Sequence, residues 1–95
     1  MVVVTGEFGR TPRINKDAGR DHWGPGFTVL VGGGGVRGGL VVGKSDARAE
    51  KPDGPSHGPE DLAATIYHLL GMNPKEEFYT PEGRPVPIVN GGHVI

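Results

Sequence analysis

Met1 to Arg10 read MVVVTGEFGR. Three valines in succession, stopped by Thr5 and Gly6, have the pattern of a strand covered on both faces, since a strand with one wet face alternates apolar and polar side chains. Such a strand needs neighbours on both sides, and none precedes it. The run therefore predicts an α/β fold of which these 95 residues are the C-terminal part, with Met1 internal to a longer polypeptide or a misassigned start.

Gly supplies 18 and Pro 9 of the 95 residues, far above the roughly 12% usual for the pair. Little of the chain is left for regular structure. Lys and Arg total 10 against 11 Asp and Glu, a net charge of −1, so no long-range field draws nucleic acid or an anionic membrane. There is no apolar run near the roughly 20 residues of a membrane helix and no export signal at the start; as written, a soluble chain is expected. The absence of cysteine excludes disulfides, thiolate ligands and a Cys nucleophile without assigning a compartment.

Outward from the valines, Val2 to Thr5 read as a buried strand and Glu7 to Gly26 as a long loop, a feature that is uncommon unless it builds a site. FTVLV (Phe27 to Val31) reads as a second buried strand, GGGGVRGG as a glycine-rich turn, and LVVG from Leu40 as a third short strand. A helix is expected from Pro59 to Leu70. Pro59 suits its first position, Glu60 and Asp61 complement the positive end of its dipole, and Gly71 with Pro74 supplies the stop. Leu62, Ile66, Leu69 and Leu70 share one face; Asp61, Thr65 and His68 share another. The remainder reads as an extended tail with at most one short strand around Val86 to Val89.

GGLVVGKS (Gly38 to Ser45) fits the phosphate-loop pattern G-x-x-x-x-G-K-[ST] letter for letter. Leu40, Val41 and Val42 favour an extended strand over a cradle of inward N–H groups, Pro52 interrupts the helix that should follow, and no later strand ends in a Mg²⁺-holding acid. A nucleotide-binding loop is therefore the remote alternative. GGGGVRGG is followed by a strand rather than a helix, which favours a wide turn over a dinucleotide site.

Chemistry concentrates in TGEFGRTPRINKDAGRDHWGPGF (Thr5 to Phe27). Glu7 leaves the first strand, Asp21 and His22 precede the next, and Arg10 and Arg20 lie between. Carboxylate with imidazole is a ligand set for zinc, manganese or iron, and two arginines suit phosphate or sulfate oxygens. The structural alternative has Asp21 accepting from backbone N–H groups, His22 paired to it at the surface and Trp23 covering the core. His57, His68 and His93 read as solvated, and no serine has a nucleophile-elbow setting.

Taken in order, EFGRTPRIN, GRDHW, LVGGGGVRGGLVVGKSD, PEDLAATIYHLLGM and GRPVPIV resemble the C-terminal part of the sulfatase-like bacterial family of unknown function DUF1501, of the alkaline phosphatase and sulfatase superfamily. The resemblance covers nearly the whole chain. It implies an alkaline-phosphatase-like sandwich, a mixed central sheet with flanking helices, with residues 1–95 a partial domain lacking the N-terminal portion of its own fold. It also implies a divalent metal (zinc, manganese, iron or calcium) held in part by Glu7, Asp21 and His22, with Arg10 and Arg20 on an anionic small-molecule or saccharide ester. Glu7 stands in the position of the superfamily's Asp and His22 in that of its later His. Phe8 stands where a His is expected, which removes one ligand of a two-metal site. The superfamily nucleophile would lie upstream, so no catalytic residue is expected in these 95. Relatives are often exported, which implies a periplasmic setting for the full-length parent. Two functions compete: part of a metal-dependent phosphate or sulfate ester hydrolase, and a non-catalytic binding or structural module. Phe8, expected to point into the core, separates them.

Overall fold

In the computed structural model, which describes residues 1–95, the valine run forms β1 (Val2–Val4). It is followed by β2 (Gly9–Arg10), β3 (His22–Trp23), β4 (Leu30–Gly32), α1 (Pro59–Leu69), β5 (Glu77–Tyr79) and β6 (Pro85–Pro87). The strands make three two-stranded antiparallel sheets, β1 with β4, β2 with β3 and β5 with β6. The chain is thus a small mixed α/β structure with short sheets and one helix, and it divides into two compact units, Met1–Ser56 and His57–Ile95.

In the first unit, Val2 pairs with Gly32, Val3 with Val31 and Val4 with Leu30. The expectation that both strands are buried is corrected here. Val3 and Val31 are half-buried, whereas Val2, Val4 and Leu30 are exposed, because a two-stranded ribbon gives each strand one neighbour and no layer above it. The strand expected at Phe27 to Val31 is confined to Leu30–Gly32. The turn after it is left-handed at Gly33, Gly34 and Gly35, and Gly34 lies against Met1 so closely that a Cβ would meet its side chain.

No strand forms at LVVG. Gly39 precedes it and Gly43 ends it with φ of 76° and 78°, Val41 is 93% exposed, and no ladder partner faces it. β-branched residues fit a pleated surface only where a neighbouring strand supplies one. Nor does a helix leave Ser45. Ser45 bridges to Pro52 and Lys44 forms an ion pair with Asp53 at 3.0 Å, so the segment returns as a small hairpin and lacks the helix N-terminus that a phosphate loop requires.

Two loops of this unit share one backbone design. The side-chain oxygen of Asn15 accepts from the N–H groups of Asp17 and Gly19, and that of Asp46 from those of Arg48 and Glu50. In each, the fourth residue is a left-handed alanine, Ala18 at φ 58° and Ala49 at 56°. Asn and Asp favour such turns because their short polar side chains substitute for a backbone acceptor.

In the second unit, α1 begins and ends as its sequence dictates. Pro59 occupies the first turn, where no N–H is required. At the other end the N–H of Met72 donates to Tyr67 O and that of Gly71 to His68 O, with Gly71 at φ 83°, a Schellman termination. Ala64 is the buried hydrophobic residue of the chain. Leu62, Ile66 and Leu69 are half-buried as their shared face predicts, while Leu70, expected inside the helix, is the exposed C-cap.

The polar face of α1 holds the C-terminal tail. Asp61 Oδ2 accepts from the Gly58 N–H and Oδ1 from the His93 N–H, each at 2.8 Å. One turn on, Thr65 Oγ1 accepts from the Ile95 N–H at 2.9 Å. Asp61 therefore caps the helix and anchors the tail at once. The His93 and Gly58 amides, with the nearby His57 and His93 imidazoles, hold its carboxyl below the ordinary carboxylate range. A depressed folded value means that the contribution is present above the unfolded-chain value of about 3.9 and is lost as pH falls through the folded value. The Gly58 and His93 amide resonances should accordingly titrate together below about pH 3.9, and Asp61→Asn should abolish that joint transition.

Candidate functional site

The loop between β1 and β4 is organised by the short β2–β3 ladder, in which Gly9 faces Trp23 and Arg10 faces His22. Glycine is required at position 9, since a Cβ would collide with the Gly26 carbonyl. Beyond the ladder, Thr11 is the buried polar residue. Its N–H donates to Asp21 O, its hydroxyl donates to Arg13 O, and its Oγ1 accepts from the Asp21 N–H. Trp23 closes the far side by donating its indole N–H to the Glu50 carbonyl.

The ladder brings an aromatic and two basic groups together. The rings of Phe8 and His22 stack with centroids 3.9 Å apart at an interplanar angle of 26°. The Arg10 guanidinium carbon lies 5.5 Å from the Phe8 centroid, within the range of a cation–π contact. Phe8 thus departs from its expected place in a core: it is half-buried and serves as a platform for the imidazole. Its neighbour Glu7 is exposed and has no hydrogen-bond or ion-pair partner in the chain.

The other expected site residues are partly engaged within the loop. Arg20 donates from Nη1 to the Thr11 and Pro12 carbonyls at 2.7 and 2.6 Å, stapling the turn. Asp21 accepts from Asn15 Nδ2 at 3.1 Å. Arg10 donates from Nη1 to Arg20 O at 3.2 Å, which leaves Nε and Nη2 uncommitted. Glu7, Asp21 and His22 do not come together as a group able to hold a metal ion, nor do any other three His, Asp or Glu side chains. Asn15 and Thr11, which set the loop's shape, were not among the expected residues; the signal for Asn15 is its position ahead of Asp17-Ala18-Gly19, a turn-forming run.

A family model described as "Protein of unknown function (DUF1501)" matches residues 1–95. The chain belongs to that family. Neither the curated proteins nor the solved structures contain a match to it. In this DUF1501 chain no helix is long and apolar enough to cross a membrane. Glu7, the Phe8–His22 stack with Arg10 beside it, and the Thr11–Asp21 lock share one loop.

Proposed function

We propose that this chain supplies the anion-facing loop of a phosphate or sulfate ester hydrolase of the alkaline phosphatase and sulfatase type, completed by residues outside Thr5–Phe27. The observation that supports it is the placement of Arg10 beside the Phe8–His22 stack, with Nε and Nη2 free to donate. A guanidinium held by an aromatic face and a backbone carbonyl has lost much of its rotamer freedom, so less is forfeited when it binds a phosphate or sulfate oxygen. His22 presents an exposed imidazole beside it. A divalent ion enters only as one whose further ligands come from elsewhere, because Glu7, Asp21 and His22 do not themselves enclose it.

A second reading, a non-catalytic binding module, is favoured by Phe8 in the position of a metal ligand and by the engagement of Arg20 and Asp21 within the loop. The two part on metal content and turnover. For the hydrolase, the purified full-length protein carries a divalent metal by elemental analysis and cleaves 4-nitrophenyl phosphate or sulfate. His22→Ala then weakens metal retention by about tenfold or more and lowers turnover with it. A metal-free protein that cleaves neither ester, and is unaltered by His22→Ala, leaves the binding module.

A further inference from the structure

The β5–β6 hairpin has one edge closed by proline and one left open. In this ladder Glu77 faces Pro87, Phe78 faces Val86 and Tyr79 faces Pro85. The Thr80 N–H donates to Arg84 O and the Ile88 N–H to Glu76 O. Antiparallel ladders alternate hydrogen-bonded and non-hydrogen-bonded pairs, so Phe78 and Val86 exchange bonds inside the hairpin while residues 77, 79, 85 and 87 turn their main chain outward. On β6 those outward positions are Pro85 and Pro87, which have no N–H to offer. On β5 they are Glu77 and Tyr79, each with a free N–H and C=O.

We propose that the Glu77–Tyr79 edge of β5 is a docking site for one extended strand of a partner protein, added to the hairpin by main-chain pairing, with basic and apolar residues in alternation. Asymmetry between the edges supports this: prolines are a standard block against unwanted strand addition, and here they block one side only. Side chains on the open side specify the occupant. Phe78 and Tyr79 are 61% and 71% exposed although they lie in regular structure. Glu77 and Tyr79 share one face, so a partner residue opposite either meets a carboxylate or a phenol ring, and Lys or Arg satisfies both by charge pairing and by stacking its stem or cation on the ring. The intervening partner residue falls opposite Phe78, which calls for a β-branched or other apolar side chain. Glu76 falls on the Phe78 face and Lys75 beside it offsets its charge, so the charge pairing rests on Glu77.

The test is an NMR titration of the full-length protein with a synthetic alternating Lys/Val peptide of about seven residues, a usual strand length, and with the same peptide N-methylated at alternate positions. The unmethylated peptide should shift the Glu77 and Tyr79 amides saturably, and the methylated one should bind at least about tenfold more weakly. Tyr79→Pro removes an outward donor that the hairpin does not use and should cost a similar factor while Phe78–Val86 contacts persist. Glu77→Lys, which leaves every backbone group in place, should weaken binding at low salt and lose that effect at high salt. Equal binding of both peptides, perturbation centred on Pro85 and Pro87, or no binding would overturn the proposal. So would self-association through Glu77 and Tyr79 without peptide, which would make a second copy the occupant.

Discussion

Heated in solution, the 95-residue chain should lose its ellipticity over a wide temperature range, without the sharp transition and heat-absorption peak of a two-state domain. Ordering each residue's backbone costs about 1–2 kcal/mol, and in small domains that cost is met chiefly by apolar burial. Here the buried hydrophobic residue is Ala64, and no large side chain is fully buried. Val2, Val4 and Leu30 on the first ribbon, Leu40 to Val42, and Phe78, Tyr79 and Val86 on the hairpin are all exposed. What remains is small in scale: ladders of two or three residues, two Asx turns, one capped helix of 11 residues and a docked tail. Isolated helices of that length are marginal in water, and an isolated hairpin is no better. Calorimetry and far-UV dichroism on the same sample decide the matter. A single cooperative peak whose calorimetric and van't Hoff enthalpies agree would show that the short ladders and caps suffice after all.

Gly92→Ala should release the C-terminal tail from α1. Gly92 packs so closely on the helix that a Cβ would lie well inside van der Waals contact distance of the Glu60 carbonyl oxygen and 3.1 Å from Val89 Cγ1. The first of these neighbours is helix backbone, which cannot rotate aside. The tail must lift, and the His93 N–H then leaves Asp61 while the Ile95 N–H leaves Thr65. Carboxypeptidase should remove residues 93–95 faster from the variant than from the parent chain, and the His93 and Ile95 amides should lose exchange protection. Gly91→Ala is the control. Gly91 sits at φ 81° with open space around it, so alanine there meets a conformational cost of about 1–2 kcal/mol but no collision, and the tail should be loosened less. Equal release by both substitutions would mean that backbone conformation, rather than close packing, holds the tail.

The helix was legible because its signals are local: Pro59 at the start, the acidic first turn, the spacing of Leu62 and Ile66, and Gly71 at the stop each act within a few residues. The strands were less so. LVVG carries strand-forming side chains, but pairing depends on what lies across from it, and Gly39 and Gly43 turn the chain away at both ends. β6 overlaps the short strand expected around Val86 to Val89, whereas its partner β5 was not expected. Pro85 and Pro87 read as strand breakers, yet both fall at outward positions where no N–H is used. At the candidate site, the grouping of Glu7, Arg10, Arg20, Asp21 and His22 on one loop followed from their order in the chain. Their individual engagements did not, because whether Arg20 faces a ligand or its own Thr11 and Pro12 carbonyls depends on how the Asn15 turn directs it.

The chain has one tryptophan, and its indole N–H is donated to the Glu50 carbonyl across 27 positions of sequence. That contact gives the protein an intrinsic optical probe. Emission from Trp23 reports the seating of the Lys44–Asp53 hairpin against β3, a property of the first unit alone, whereas helical ellipticity arises wholly in the second, from α1. Fluorescence and dichroism recorded on one sample therefore follow separate halves of the molecule, and the gap between their midpoints measures how far those halves unfold as one.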